Sequence, residues 1–286
     1  RLMQDRHTVA ITGARGEMGH ILCKQLRQRG YKIVGITRSP TQLDFVDENR
    51  VAELTDPESV VGLLEGCTAV IHLAALPKPW ETYENILANN YKVDYNMMTE
   101  AARAGCKRFV YASTNHVQHG TSMKTTPESL DSKKIGAHLS SGMPLMRTTD
   151  EPDPDSYYAI SKLNGENLGK LFARNHGLEF IAARIGWIVP EDDPRLSKWV
   201  VSDENKEYMR AMYLGHRDCD EIFHRCVSQS LSASLDHGPG KFLTLYAVSN
   251  NDRRVFDLES TRLALGYAPQ CNVEDYVRDD WAHIGA

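Results

Sequence analysis

Val9 to His20 reads V-A-I-T-G-A-R-G-E-M-G-H, an apolar run that enters glycines at 13, 16 and 19 and then a helical pattern. No other stretch constrains the fold as tightly. Each glycine answers a separate need: Gly13 permits a tight turn, Gly16 lets a pyrophosphate approach the backbone, and Gly19 lets helix pack close on strand. The helix start then offers free N–H groups and a partial positive charge to phosphates. A glycine-rich turn without a ligand is the alternative, but strand and helix flank this one as a dinucleotide site demands.

The same rhythm continues through the first two-thirds of the 286 residues. Apolar runs bounded by turn residues predict strands near 8–11, 32–36, 52–54, 69–73, 108–112 and 179–185, with helices near 16–29, 56–64, 86–104 and 156–176. Such alternation implies an α/β protein with a Rossmann-like doubly wound parallel sheet, its ligand lying outside the carboxyl ends of the strands. Residues 118–156 break the pattern, being rich in Ser, Thr, Pro, Gly and Lys; a loop of that length is functional or mobile, and is read as a lid or substrate-side insertion. After Trp187 short helices and one strand near 242–247 follow. The expected division is a dinucleotide-binding domain over 1–186, carrying the insertion 118–156, and a smaller substrate-binding region over 187–286.

Charge and cysteine content narrow the function classes. A formal net charge of -5 argues against nucleic acid or a membrane surface as partner. No apolar run approaches the roughly 18 residues of a membrane span. The first residues lead straight into the first strand without a signal-peptide pattern, so a cytoplasmic location is expected. Six scattered cysteines, with no C-x-x-C pair and no histidine at zinc spacing, read as reduced thiols, and no metal site is expected.

Cofactor choice should be written at the end of the second strand, where an acid grips the ribose 2′-OH of NAD. Here the strand ends in Thr37-Arg38-Ser39. Arg38 suits a 2′-phosphate, because guanidinium matches phosphate geometry, so NADP is expected in preference to NAD. A solvated surface arginine is the alternative.

Tyr158-Ala-Ile-Ser-Lys162 sets a phenol and an ammonium on one helix face. A tyrosine of ordinary pKa, about 10, is a poor base at neutral pH, and a nearby cation lowers that value. Tyr158 can then take a proton from a substrate hydroxyl as hydride leaves the same carbon. Tyr157 stands five positions before Lys162, off that face. Alone, such a pair is more often an exposed helix contact.

Taken together, the glycine turn, the strand end Ser113-Thr114 and Y-x-x-x-K resemble the extended short-chain dehydrogenase/reductase (NAD-dependent epimerase/dehydratase) family over nearly the whole chain. The resemblance implies that Thr114 hydrogen-bonds the reacting oxygen, that Asn90 and Asn96 belong to the helix behind the active site, and that His72-Leu73-Ala74-Ala75 lies along the nicotinamide ribose. The cofactor set it implies is Gly13, Arg15, Gly16, Met18, Gly19, Arg38, Leu54, Leu73, Ala74, Ala75, Asn90, Tyr158, Lys162 and Ile185. Within the family, A-S-T-N-H-V (Ala112 to Val117), R-I-G (Arg184 to Gly186) with Pro190-Glu191, A-V-S-N-N-D-R-R-V-F-D (Ala247 to Asp257) and L-G-Y-A-P-Q (Leu265 to Gln270) are similar to uronate dehydrogenases and related aldose or sugar-phosphate 1-dehydrogenases.

That subgroup implies a small-molecule sugar substrate contacted by Ser113, Asn115, His116, Pro77, Trp187 and Arg195, with Arg195 holding an anion at C6. His116 has a structural histidine as its alternative, and Arg195 a solvated arginine. Pro77 and Trp187 replace serines of the subgroup and remove hydroxyl partners, while Lys78, Lys124, Lys133 and Lys134 offer charge for a phosphate. The expected activity is NAD(P)-dependent oxidation of the C1 hemiacetal hydroxyl of a sugar acid, sugar 6-phosphate or aldose to a lactone. Two others stay open: a nucleotide-sugar epimerase or dehydratase, disfavoured because Asn115-His116 is no carboxylate pair, and a non-catalytic NAD(P)-sensing binding protein. The helices 86–104 and 156–176 carry apolar residues beyond one stripe, for example Val93, Met97 and Met98, and the family pairs these helices across a homodimer interface.

Overall fold

The computed structural model describes residues 7–118, 144–232 and 238–282. Most of the 118–156 insertion, with Lys124, Lys133 and Lys134, therefore lies outside the described residues.

Seven parallel strands form one sheet in the order β3-β2-β1-β4-β5-β6-β7. They are β1 Thr8–Thr12, β2 Lys32–Thr37, β3 Glu48–Val51, β4 Ala69–His72, β5 Arg108–Thr114, β6 Glu179–Ile185 and β7 Lys241–Ala247. Strands buried on both faces read as continuous apolar runs, and successive side chains feed opposite layers. Val9, Ile11, Ile33 and Ile71 meet Leu22 and Leu26 of α1 (Glu17–Gln28) with Ile222 and Phe223 of the helix His216–Ser228. On the other face Ala10, Val34, Val70 and Phe109 meet Val93, Met97 and Met98 of α3 (Asn90–Arg103) and Phe172 of α4 (Tyr157–His176). Each such large side chain contributes about 1.5–3 kcal/mol when fully buried.

Three sequence expectations are corrected here. The third strand is Glu48–Val51 rather than 52–54. It is the sheet edge, half solvated, so its E-N-R-V lacks the apolar run that marked the interior strands. Residues 56–64 form turns, not a helix, with Gly62 at φ 83°. The helix expected over 86–104 is two, α2 (Tyr83–Ala88) and α3, broken at Asn89 with φ -112° and ψ -77°.

The region after Trp187 is shared between sheet and cleft. Its strand β7 pairs with β6 from Glu179↔Lys241 to Ile185↔Ala247, and Gln25 of α1 donates to the His216 carbonyl at 2.8 Å. The loop after β6 is tied down where Trp187 N–H donates to the Met212 carbonyl at 2.6 Å. Strand order reverses between β1 and β4, so a crevice opens beyond Thr12 and His72.

Candidate active site

That crevice is a cleft of about 1120 Å³ running from the glycine turn to the end of β6. At one end Gly13 holds φ 66° and lies close on the backbone of Leu73 and Ala74. A Cβ on Gly19 would collide with the Gly13 carbonyl, whereas a Cβ on Gly16 would meet only that carbonyl, at 3.2 Å, and otherwise occupy the cleft. The turn is thus a cradle with room for a phosphate at the start of α1. Arg15, Met18, Arg38, Leu54, Leu73, Ala74, Ala75 and Ile185 all line the same cleft.

Beyond β2, Arg38 is joined by Arg15, whose Nη2 donates to Ser39 Oγ at 3.5 Å and to the Thr41 carbonyl at 3.4 Å. The only acid lining this end among the described residues besides Glu17 is Glu53, and its Oε1 already accepts from Thr55 N and Oγ1 at 3.2 and 2.9 Å.

In the middle of the cleft stand Tyr158, Lys162 and Thr114, brought together by α4 and the end of β5. Ser156, two residues before the buried phenol, caps α4 by accepting from Ala159 N at 3.2 Å. Tyr157 is half exposed against Tyr83 instead. Burial holds the Tyr158 phenol above its ordinary pKa, with the Thr114 hydroxyl pulling it down and Asp94 and Asp155 pushing it up. The expected depression by Lys162 is not what sets this phenol: desolvation of the phenolate is the largest effect and raises it. Lys162 is 1% exposed and its Nζ has no hydrogen-bond partner among the described residues. Burial lowers its pKa and Asp94 raises it. An unsatisfied ammonium in such a place is costly unless a ligand completes it. A ribose hydroxyl pair beside the cradle fits that need.

The far wall joins four segments. His116 Nδ1 lies 2.8 Å from Asp155 Oδ2, and Tyr208 hydroxyl lies 3.3 Å from His116 Nε2 and accepts from Asn115 Nδ2 at 2.9 Å. Trp187 packs on Tyr208 with ring centroids 5.4 Å apart, and Pro77, Lys78, Trp80 and Trp199 complete the rim. Ser113 lines the cleft, but its hydroxyl donates to Glu166 Oε1 at 2.5 Å, and Glu166 is in turn paired with Arg184 at 2.8 Å.

Two expected site residues fall elsewhere. Asn90 is wholly buried behind the cleft; it accepts from Leu76 N at 2.8 Å and donates to Leu76 O and Ser161 Oγ at 3.3 and 3.1 Å, so its side chain is consumed in fixing that loop. Asn96 does the same for Leu54, donating to its carbonyl at 2.9 Å. Arg195 does not line the cleft; it turns to Asp193 and Asp280 at 2.7 and 3.4 Å on the surface. Residues missed from sequence include Trp80, Asp155, Trp199 and Tyr208. Asp155, directly before the cap Ser156 in D-S-Y-Y, was the one with a local signal.

Val93, Met97 and Met98, read as surplus apolar surface, are in the chain's own core; the exposed apolar side chains on these helices are Tyr83, Leu87, Tyr95, Tyr157, Ile160 and Leu171. No helix among the described residues is long and apolar enough to cross a membrane.

Comparison with known proteins adds a consistent set. The model of the NAD dependent epimerase/dehydratase family matches residues 9–195. L-arabinose 1-dehydrogenase (NAD(P)(+)) of Haloferax volcanii is 34% identical over 92% of this chain and 96% of its own length. NAD-dependent glucose-6-phosphate dehydrogenase of the same organism is 29% identical over 94% of this chain and 95% of its own. Among solved structures, a mutant uronate dehydrogenase from Agrobacterium tumefaciens complexed with NAD superposes with a TM-score of 0.73 at 22% identity, covering 98% of this chain and 90% of that one, a likeness of fold.

Proposed function

Because the chain belongs to the NAD dependent epimerase/dehydratase family, we propose that it is an NAD(P)-dependent oxidoreductase that oxidises the C1 hydroxyl of a sugar to a lactone. The observation that carries this reading is the meeting of Tyr158, Thr114 and the unpartnered Lys162 ammonium in the cleft that begins at the glycine cradle. When bound, the oxidised nicotinamide supplies a hydride acceptor and a positive charge. The C1 hydrogen leaves with its bonding pair as hydride, the C1 hydroxyl proton passes to the Tyr158 phenolate, and the electron pair of the broken O–H bond turns the C1–O bond into C=O. Thr114 holds the reacting oxygen beside Tyr158, and Lys162 anchors the ribose while its charge stabilises the phenolate. Because burial holds the phenol up, oxidation should quicken as pH rises through the neutral range.

Arg15 and Arg38 together favour a 2′-phosphate, so NADP is placed ahead of NAD. Asn115 and His116 would bind sugar hydroxyls, with Trp187 stacking on an apolar sugar face. With Arg195 committed to Asp193 and Asp280, an uncharged aldose ranks ahead of a uronate or a sugar 6-phosphate. Residues 1–186 would serve the cofactor and 187–286 the substrate. The exposed apolar residues of α2, α3 and α4 would pair in a homodimer, which sedimentation would read. A screen of aldoses, uronates and sugar 6-phosphates with each cofactor tests the whole reading. Reduced cofactor together with lactone supports it; isomerised UDP-sugar without net cofactor change would replace it.

A further inference from the structure

Asp94 is fully buried on α3, and the chemistry above gives it no task. Its Oδ1 lies 3.2 Å from His72 Nε2, and its Oδ2 accepts from the Tyr111 hydroxyl at 2.5 Å. The proton positions follow from the donors behind them. Thr12 Oγ1 accepts from the N–H groups of Leu73 and Ala74, each at 3.0 Å, so its own hydrogen goes to His72 Nδ1 at 2.8 Å. His72 Nδ1 is then an acceptor, and Nε2 carries the ring's N–H to Asp94. His72 is fully buried, and burial lowers its pKa, so it stays neutral. Asp94 thus receives two neutral hydrogen bonds and no directly bonded cation.

The cation lies across one ring. Lys162 Nζ is 4.7 Å from the centroid of the Tyr111 ring whose hydroxyl binds Asp94. Gly165, one helical turn after Lys162, makes room for this arrangement. A Cβ there would collide with the Tyr111 hydroxyl and stand 2.8 Å from Asp94 Oδ2. The groups facing Lys162 are His72 from β4, Tyr111 from β5, Asp94 from α3 and Tyr158 from its own helix. Glu166 acts on Tyr111 but is paired with Arg184, and Asp155 acts on Tyr158 from its place on His116.

We propose that Asp94 is a positioning residue of this site: across the Tyr111 ring it is the counter-charge that keeps Lys162 an ammonium, and through His72 and Thr12 it fixes the turn at Leu73 and Ala74 against the cofactor. The inference rests on the assignment of Lys162 to cofactor binding, not on the identity of the sugar. Asp94→Asn keeps the shape and removes the charge. Lys162 then loses its stabilising anion and gives up its proton at lower pH, and Tyr158 loses a repelling anion and also ionises at lower pH.

The affinity of NADPH, followed by its fluorescence from pH 6 to 11, reads Lys162 without any need for turnover; kcat/KM for oxidation of the sugar reads Tyr158. In Asp94→Asn, both limbs should move down by about one pH unit, a roughly tenfold loss of cofactor affinity above the limb. Asp94→Thr, smaller and also neutral, should do the same and stands in if the asparagine variant does not fold. Tyr111→Phe keeps the charge, so its limbs should stay in place. Limbs that stay put in the neutral variants with only the amplitude reduced, or that fall equally in Tyr111→Phe, would overturn the proposal. A cofactor limb that moves as expected while no sugar is oxidised would uphold Asp94 and reject the C1 chemistry.

Discussion

At the glycine turn, residues 13–19 and the strand-end residues 73–75 meet as backbone against backbone, with Gly13 packed on Leu73 and Ala74. On the opposite wall Asn115, His116, Asp155, Trp187 and Tyr208 arrive from separate segments and meet through side chains. The first end depends on conformations that only glycine and a helix start provide, and in the proposed function it serves the cofactor whatever the sugar. The second depends on which side chains happen to converge, and that is where the proposed function puts substrate choice. Binding of cofactor and selection of sugar should therefore fail separately when each end is damaged.

The largest effect should come where the two ends meet. Tyr158→Phe removes the proton acceptor and should lower kcat by roughly 10³-fold, while cofactor affinity, measured by fluorescence titration, stays near wild type. At the cofactor end, Gly19→Ala pushes a methyl group into the Gly13 carbonyl and should weaken NADPH and NADH binding alike by about 100-fold, with a stability loss of roughly 1–3 kcal/mol. Arg38→Ala should weaken NADPH by about tenfold and leave NADH unchanged; equal losses for both would mean that Arg38 ignores the 2′-phosphate. On the far wall, His116→Ala should raise KM for the sugar by about tenfold and leave cofactor KM untouched, since it removes the hub between Asp155 and Tyr208. Smallest of all, Arg195→Ala should change sugar KM less than about twofold, because an exposed ion pair contributes little and the side chain faces away from the cleft. A large loss with uronate alone would bring Arg195 back to the site.

Legibility follows the same divide. That Gly13, Gly16, Gly19, Tyr158 and Lys162 meet at one cleft was readable because it depends on short spacings that the chain carries openly. The interior strands were readable because burial on both faces demands apolar runs. Glu48–Val51 was not, since an edge strand meets solvent and has no such demand. Asn90 has the right residue type in the right helix, but the sequence does not say that Leu76 and Ser161 claim its amide. Arg195 was misplaced because nothing local shows that Asp193 and the distant Asp280 would take its charge. Tyr208 needed the fold itself, since its partners Asn115 and His116 lie far off in the chain.

The central claim is that the C1 hydrogen of a sugar leaves as hydride to the dinucleotide held along the glycine turn. Mass spectrometry of the cofactor after turnover of a C1-deuterated aldose tests it most directly. The reduced cofactor should carry one deuterium, with lactone as the other product; deuterium retained in an isomerised sugar, or lost to water with the cofactor unlabelled, would contradict it.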